Sequence, residues 1–139
     1  MRKPYTLLEH TADLRIRITG SDPADLFKNA GLALFDMIVD TSTVTSEGTI
    51  DLAISGEDYP DLMVNYLREL LYLWTGHEKM VTLIHIENIS PTHVAARVTV
   101  GSYRPDRHAV SHEIKAVTYH QIEVAGGPAG WQAMVVLDI

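Results

Sequence analysis

The chain has 139 residues, no cysteine and a formal net charge of -7. That length suits one domain with a sizeable core. The acid excess argues against a general nucleic-acid binder, which carries a basic stripe, and the missing cysteines remove disulfides and thiolate metal sites. No apolar run reaches the roughly 18 residues of a membrane-spanning helix. The start, Met1-Arg2-Lys3-Pro4-Tyr5, has no signal-peptide apolar region, so the expected location is cytoplasmic with no membrane partner.

Residues 5–9 read as a short strand, followed by a turn or bulge at His10-Thr11-Ala12. From Asp13 to Thr19 the chain alternates, with Leu14, Ile16 and Ile18 on one side and Asp13, Arg15, Arg17 and Thr19 on the other. Gly20-Ser21-Asp22-Pro23 stops that strand and starts a helix, with Asp22 as cap and Pro23 in the first turn, where its missing N–H is not needed. The spacing of Leu26, Phe27, Ala30, Leu34, Met37 and Ile38 predicts a helix over 23–38. A polar loop over 41–48 leads to a strand over 49–55, with Ile50, Leu52 and Ile54 inward. Gly56-Glu57-Asp58-Tyr59-Pro60 repeats the stop-and-cap logic, although no internal repeat is otherwise visible. A second helix over 60–74 buries Met63, Tyr66, Leu67, Leu70, Leu71 and Trp74. Strands follow over 81–87 and 93–100, then a long aperiodic loop over 101–111 made locally basic by Arg104, Arg107 and His108.

The alternation over 112–124 predicts a strand with Ile114, Ala116, Thr118, His120, Ile122 and Val124 on an apolar face. Glu113, Lys115, Val117, Tyr119, Gln121 and Glu123 fall on the opposite face. A Gly-Pro-rich turn over 126–130 returns the chain into a last strand, in which Trp131, Ala133, Val135, Leu137 and Ile139 share one side. About seven strands joined mostly by short turns, with two helices, give an α+β fold. The expected form is one domain over 1–139, with a largely antiparallel or mixed sheet and the helices packed on one face.

Asp13 and Asp138 both lie on non-core sides of their strands. If those strands are neighbours, two carboxylates converge with the terminal carboxylate of Ile139, a hard-oxygen set suited to Ca²⁺, Mg²⁺ or Mn²⁺. Spacing equally allows two solvated strand-end aspartates that never meet. Glu113 and Lys115 face the same way, as a weak surface ion pair or as part of a site with Lys115 toward phosphate. His120 reads as a core histidine, and His10 as a supporting neighbour of Asp13 or a turn cap. No zinc motif, phosphate loop or nucleophile elbow is present.

Taken in order, Leu8-Glu9-His10-Thr11-Ala12-Asp13, Glu113-Ile114-Lys115-Ala116-Val117-Thr118-Tyr119-His120 and the ending Val136-Leu137-Asp138-Ile139 resemble the archease family. Leu26-Phe27 with Ala30, and Asn65-Tyr66-Leu67 with Glu69-Leu70-Leu71, extend the resemblance over nearly the whole chain.

The resemblance implies a protein cofactor rather than an enzyme. Archeases promote the GTP- and metal-dependent guanylylation of an RtcB-type RNA ligase, so that it turns over repeatedly in tRNA splicing or RNA repair. It implies a divalent-cation site on Asp13, Asp138 and Ile139, with Lys115 in the functional cluster and His10 and Glu113 in support, and RNA met only through the ligase. Two other readings stay open: a small metal-dependent phosphoester hydrolase using Asp13 and Asp138, and a metal-independent chaperone-like module for RNA-acting enzymes.

Overall fold

Both helices begin where an aspartate can cap free backbone N–H groups, and the two caps are built alike. Asp25 N–H donates to Asp22 Oδ1 at 2.8 Å and Ser21 N–H donates to Asp25 Oδ2 at 2.8 Å. At the second helix, Asp61 N–H donates to Asp58 Oδ1 and Glu57 N–H donates to Asp61 Oδ2, both at 2.9 Å. One turn further on, Asn29 and Asn65 each donate a side-chain N–H back to the preceding strand, to the Thr19 and Ser55 carbonyl oxygens. Gly20 and Gly56 complete the motif: a Cβ at either would meet the helix backbone at Leu26 or Leu62. A strand–cap–helix unit is thus used twice, a repeat carried by cap chemistry that the composition of the two segments does not announce.

The computed structural model describes residues 3–10 and 13–139, excluding the side chains of Glu9 and His10. Thr11 and Ala12, expected in a turn, lie outside the described residues. The described elements run β1 (Tyr5–His10), β2 (Asp13–Gly20), α1 (Pro23–Ile38), β3 (Gly48–Ser55), α2 (Tyr59–His77), β4 (Lys79–Ser90), β5 (His93–Ser102), β6 (Ala116–Gly127) and β7 (Gly130–Asp138). The α+β class holds. The strands divide into two antiparallel sheets, ordered β1-β2-β7-β6 and β3-β5-β4. Each helix packs against strands of both sheets, α1 chiefly on β4 and β2 and α2 chiefly on β6 and β3.

One hydrophobic cluster results, in which Leu14, Ile16 and Ile18 of β2 meet Ala133, Val135 and Leu137 of β7 beneath the helices. Phe27 of α1 lies 5.2 Å from Tyr66 of α2, ring centroid to centroid, and the buried Tyr66 hydroxyl donates to the Phe27 carbonyl oxygen at 2.8 Å. Burial drives the Tyr66 hydroxyl far above its ordinary value, so it acts only as a neutral donor.

Helix α2 runs one turn past its expected end at Trp74. Glu78 stops it in a left-handed conformation (φ 52°), its N–H reaching the Leu73 and Trp74 carbonyl oxygens. A glycine normally fills that position, but Gly76, in the stretch 75–78 expected to end the helix, lies inside it.

The predicted strand over 112–124 needs correction. Its ladder begins at Ala116 and breaks between Thr118 and Glu123, where β6 spends more residues than β7. The unbroken alternation therefore misassigns its faces. Val117, expected outward, is buried, and His120, expected in the core, is exposed. Gln121 in the break has φ 54°.

The long loop over 101–111 is anchored rather than free. Val110 forms a β-bridge with Val39, and Ser111 N–H donates to the Ile38 carbonyl oxygen at 2.7 Å. His108 is buried: its Nδ1 accepts the Arg104 N–H at 2.9 Å and its Nε2 donates to the Thr43 carbonyl oxygen at 3.2 Å. With both ring nitrogens engaged it staples the loop from within, while Arg104 pairs with Glu47.

Candidate carboxylate site at the strand ends

β2 enters its sheet through Asp13 and β7 leaves it through Asp138, and the two strands pair antiparallel in a register that sets Asp13 directly opposite Asp138. Residues so opposed have Cα atoms about 4.5–5.5 Å apart and side chains on one face. The flanking pair, Leu14 and Leu137, points the other way into the core. The apolar residues therefore fix the register, and the register brings the carboxylates together. Across β7, Asp138 also stands opposite Ala116 of β6.

Lys115 sits one residue before the β6 ladder. Its backbone N–H donates to the Asp138 carbonyl oxygen at 2.8 Å, and its side chain is exposed. Glu113 is exposed in the segment before it, outside the paired row. His112 holds that segment in place through Nδ1, which donates to the Met37 carbonyl oxygen near the end of α1 at 2.8 Å. Ile139 follows Asp138, half-buried, with its side chain against the core. His10, in β1, pairs through its backbone with Leu14 of β2, the residue after Asp13, and its side chain lies outside the described residues.

Among the expected site residues, then, Asp13 and Asp138 are opposed, Lys115 is tied to Asp138 through its backbone, and Ile139 is adjacent. Two like charges directly opposite each other are unfavourable, and a cation relieves that repulsion. The two carboxylates fit a hard divalent ion, but among the described residues no three His, Cys, Asp or Glu side chains are grouped to hold one. Two aspartates alone leave most of the six to eight oxygen positions such an ion takes open to other donors. An apolar cleft between Lys3, Tyr5, Leu32 and Asp36 lies away from these residues.

A polar cluster near the site escaped the sequence reading. Arg68 of α2 donates through Nε to the Val117 carbonyl oxygen at 3.1 Å and stacks its guanidinium 4.7 Å from the Tyr119 ring centroid. The Tyr119 hydroxyl donates to Asp61 Oδ1 at 2.7 Å and lies 3.3 Å from Asn65 Oδ1. That hydroxyl, and then the Glu57 backbone N–H, hold the Asp61 carboxyl below the usual carboxylate range. Asp61, Asn65 and Arg68 follow i, i+4, i+7 spacing, a polar stripe legible on α2 once attention moves from its apolar face.

Fold and site together describe a small α+β domain that sets two aspartates opposite each other at the ends of paired strands. The Archease protein family (MTH1598/TM1083) model matches residues 5–139, and the chain belongs to that family. It is 37% identical to the protein archease of Methanosarcina mazei, over 99% of this chain and 97% of that one. It is 35% identical to the protein archease of Pyrococcus furiosus, over 94% and 95%. Among solved structures, the solution structure of Methanobacterium thermoautotrophicum protein 1598 is 27% identical, with a TM-score of 0.81 and coverage of 99% and 100%. The crystal structure of an archease from Thermotoga maritima, described there as a possible chaperone, is 23% identical, with a TM-score of 0.68 and coverage of 100% and 98%, a likeness of fold.

Proposed function

We propose that the chain is a protein cofactor of an RtcB-type RNA ligase, promoting the ligase's guanylylation and multiple turnover in tRNA splicing or RNA repair. The observation that carries the reading is the opposition of Asp13 and Asp138, with Lys115 bonded to Asp138 through its backbone. These are the positions where the family resemblance implies function.

A divalent cation bound there would neutralise the opposed carboxylates and polarise phosphoryl oxygens. The chain's own contribution is positional. Asp13 and Asp138 are held by a ladder whose register the core fixes, so they are preorganised. The donor set is incomplete among the described residues, leaving room for the Ile139 terminal carboxylate, the ligase or a nucleotide phosphate. Lys115, exposed at the same end, supplies a cation toward phosphate, and Glu113 and His10 stand in support. A shared site, with Asp138 and Lys115 exposed, suits transfer or alignment of an ion at a partner's active centre, where the covalent chemistry takes place.

A phosphoester hydrolase would need a fuller ligand set of its own. A metal-independent chaperone-like module is the other reading, and the Thermotoga maritima archease is described as a possible chaperone. Ligation time courses with limiting ligase separate the three. Asp13→Ala abolishes stimulation under the cofactor reading and leaves it intact for a chaperone-like module, and turnover of phosphoesters by the chain alone marks a hydrolase.

A further inference from the structure

β6 is built in two lengths. Ala116, Val117 and Thr118 pair with Asp138, Leu137 and Val136, and pairing resumes only at Glu123 opposite Met134. Between them the chain turns out of the ladder, with His120 N–H on Thr118 Oγ1 at 3.2 Å and Gln121 left-handed. β6 is also an edge strand. This short length of edge ladder takes its register from Val117, buried opposite Leu137, and a slip of one residue would turn every side chain to the other face. Lys115 stands immediately before that short length.

Helix α2 adds a second constraint from outside the sheet. The Arg68 guanidinium grips the Val117 carbonyl oxygen and covers the Tyr119 ring, one contact on each side of Thr118. Tyr119 is fixed in turn by Asp61, whose other oxygen already accepts the Glu57 N–H of the helix cap. These are bonds to charged groups, stronger than neutral ones, and they end on a helix buried in the core. The carbonyl that Arg68 holds is two residues from Lys115, whose own N–H bonds to Asp138.

We infer that Arg68, backed by Tyr119 and Asp61, is a positioning residue that keeps Lys115 in register beside Asp138. The functional importance of that placement rests on the ligase-cofactor reading above; the placement itself does not. Arg68 is exposed, so its substitution leaves the core intact.

Amide hydrogen exchange and ligation test this together. In Arg68→Gln the Lys115 amide exchanges roughly tenfold faster, with a smaller rise in Tyr119→Phe, while amides of the β2–β7 ladder keep their wild-type rates. Stimulation of ligase turnover falls several-fold in Arg68→Gln, and the same substitution made on a Lys115→Ala background adds no further loss, because Arg68 acts through Lys115. Unchanged Lys115 exchange in Arg68→Gln, or additive losses in the double variant, overturns the inference. If exchange responds as expected while Lys115→Ala stimulates the ligase as well as the wild type, the positioning stands and the role of Lys115 in the ligase reading falls.

Discussion

Asp13 and Asp138 stand directly opposite each other across the antiparallel pairing of β2 and β7. The opposition follows from the pleat: with Leu14 opposite Leu137 in the core, the next pair outward must face away from it. Like charges directly opposite each other across a sheet are destabilising. Asp13→Asn therefore raises the melting temperature in chelator. In millimolar Ca²⁺, Mg²⁺ or Mn²⁺ the wild type gains stability by mass action and Asp13→Asn does not. Thermal melts with and without each ion read both effects, and equal ion-induced shifts in the two proteins would exclude Asp13 as a ligand.

The two cap glycines are positions where a methyl group has no room. A Cβ at Gly20 would stand 2.4 Å from the Leu26 backbone nitrogen, and one at Gly56 would stand 2.7 Å from that of Leu62. Backbone cannot yield as a side-chain tip can, so Gly20→Ala and Gly56→Ala each destabilise by about 1–3 kcal/mol. Gly48→Ala, with nothing within 4 Å, stays near neutral. Urea unfolding of the three variants checks the contrast, and a near-neutral Gly20→Ala would show that the strand–cap–helix corner relaxes.

Tyr66 joins the two helices through its buried hydroxyl. Tyr66→Phe keeps the ring against Phe27 and removes the donor from the Phe27 carbonyl oxygen. The loss is about 1–2 kcal/mol, that of a neutral hydrogen bond whose acceptor is left buried. Equilibrium denaturation measures it, and a variant as stable as the wild type would mean that the helical hydrogen bond alone satisfies the Phe27 carbonyl.

The Tyr119–Asp61 contact has a pH signature. Asp61 is held low by the Tyr119 hydroxyl first and the Glu57 N–H second. A carboxyl depressed by folding adds stability that is present above the unfolded carboxylate range, about pH 4, and is lost as pH falls through the lower folded value. Tyr119→Phe moves the Asp61 midpoint up toward the ordinary range, and carboxyl NMR titration follows it. A midpoint that does not move would place the cause in the cap alone.

Local signals carried much of this fold. Asp22-Pro23 and Asp58 with Pro60 mark both helix starts, and the alternation of Leu14, Ile16 and Ile18 and of Ala133, Val135 and Leu137 marks two core strands. Alternation states which face is inward and not which strand is the neighbour, so the division into two sheets was not legible. Nor was the break in β6: Gln121 adopts a left-handed conformation with no glycine to announce it, and period two read straight through it puts His120 inside and Val117 outside, the reverse of the structure. Glu78 hid the true end of α2 in the same way. At the site, Asp13 and Asp138 are nearly the whole chain apart, and their meeting depends on long-range pairing that spacing cannot supply. The strand faces offered them only as a conditional pair, the family resemblance favoured that pairing, and Arg68, absent from those motifs, went unread.

The most direct measurement is a ligation time course with an RtcB-type ligase limiting over RNA ends, run with GTP and a divalent ion, with and without this protein. The account expects a single-turnover burst to become sustained turnover on adding the wild-type chain, and to remain a burst with Asp13→Ala or Asp138→Ala proteins that melt normally. Sustained turnover with either variant, or none with the wild type, would contradict it.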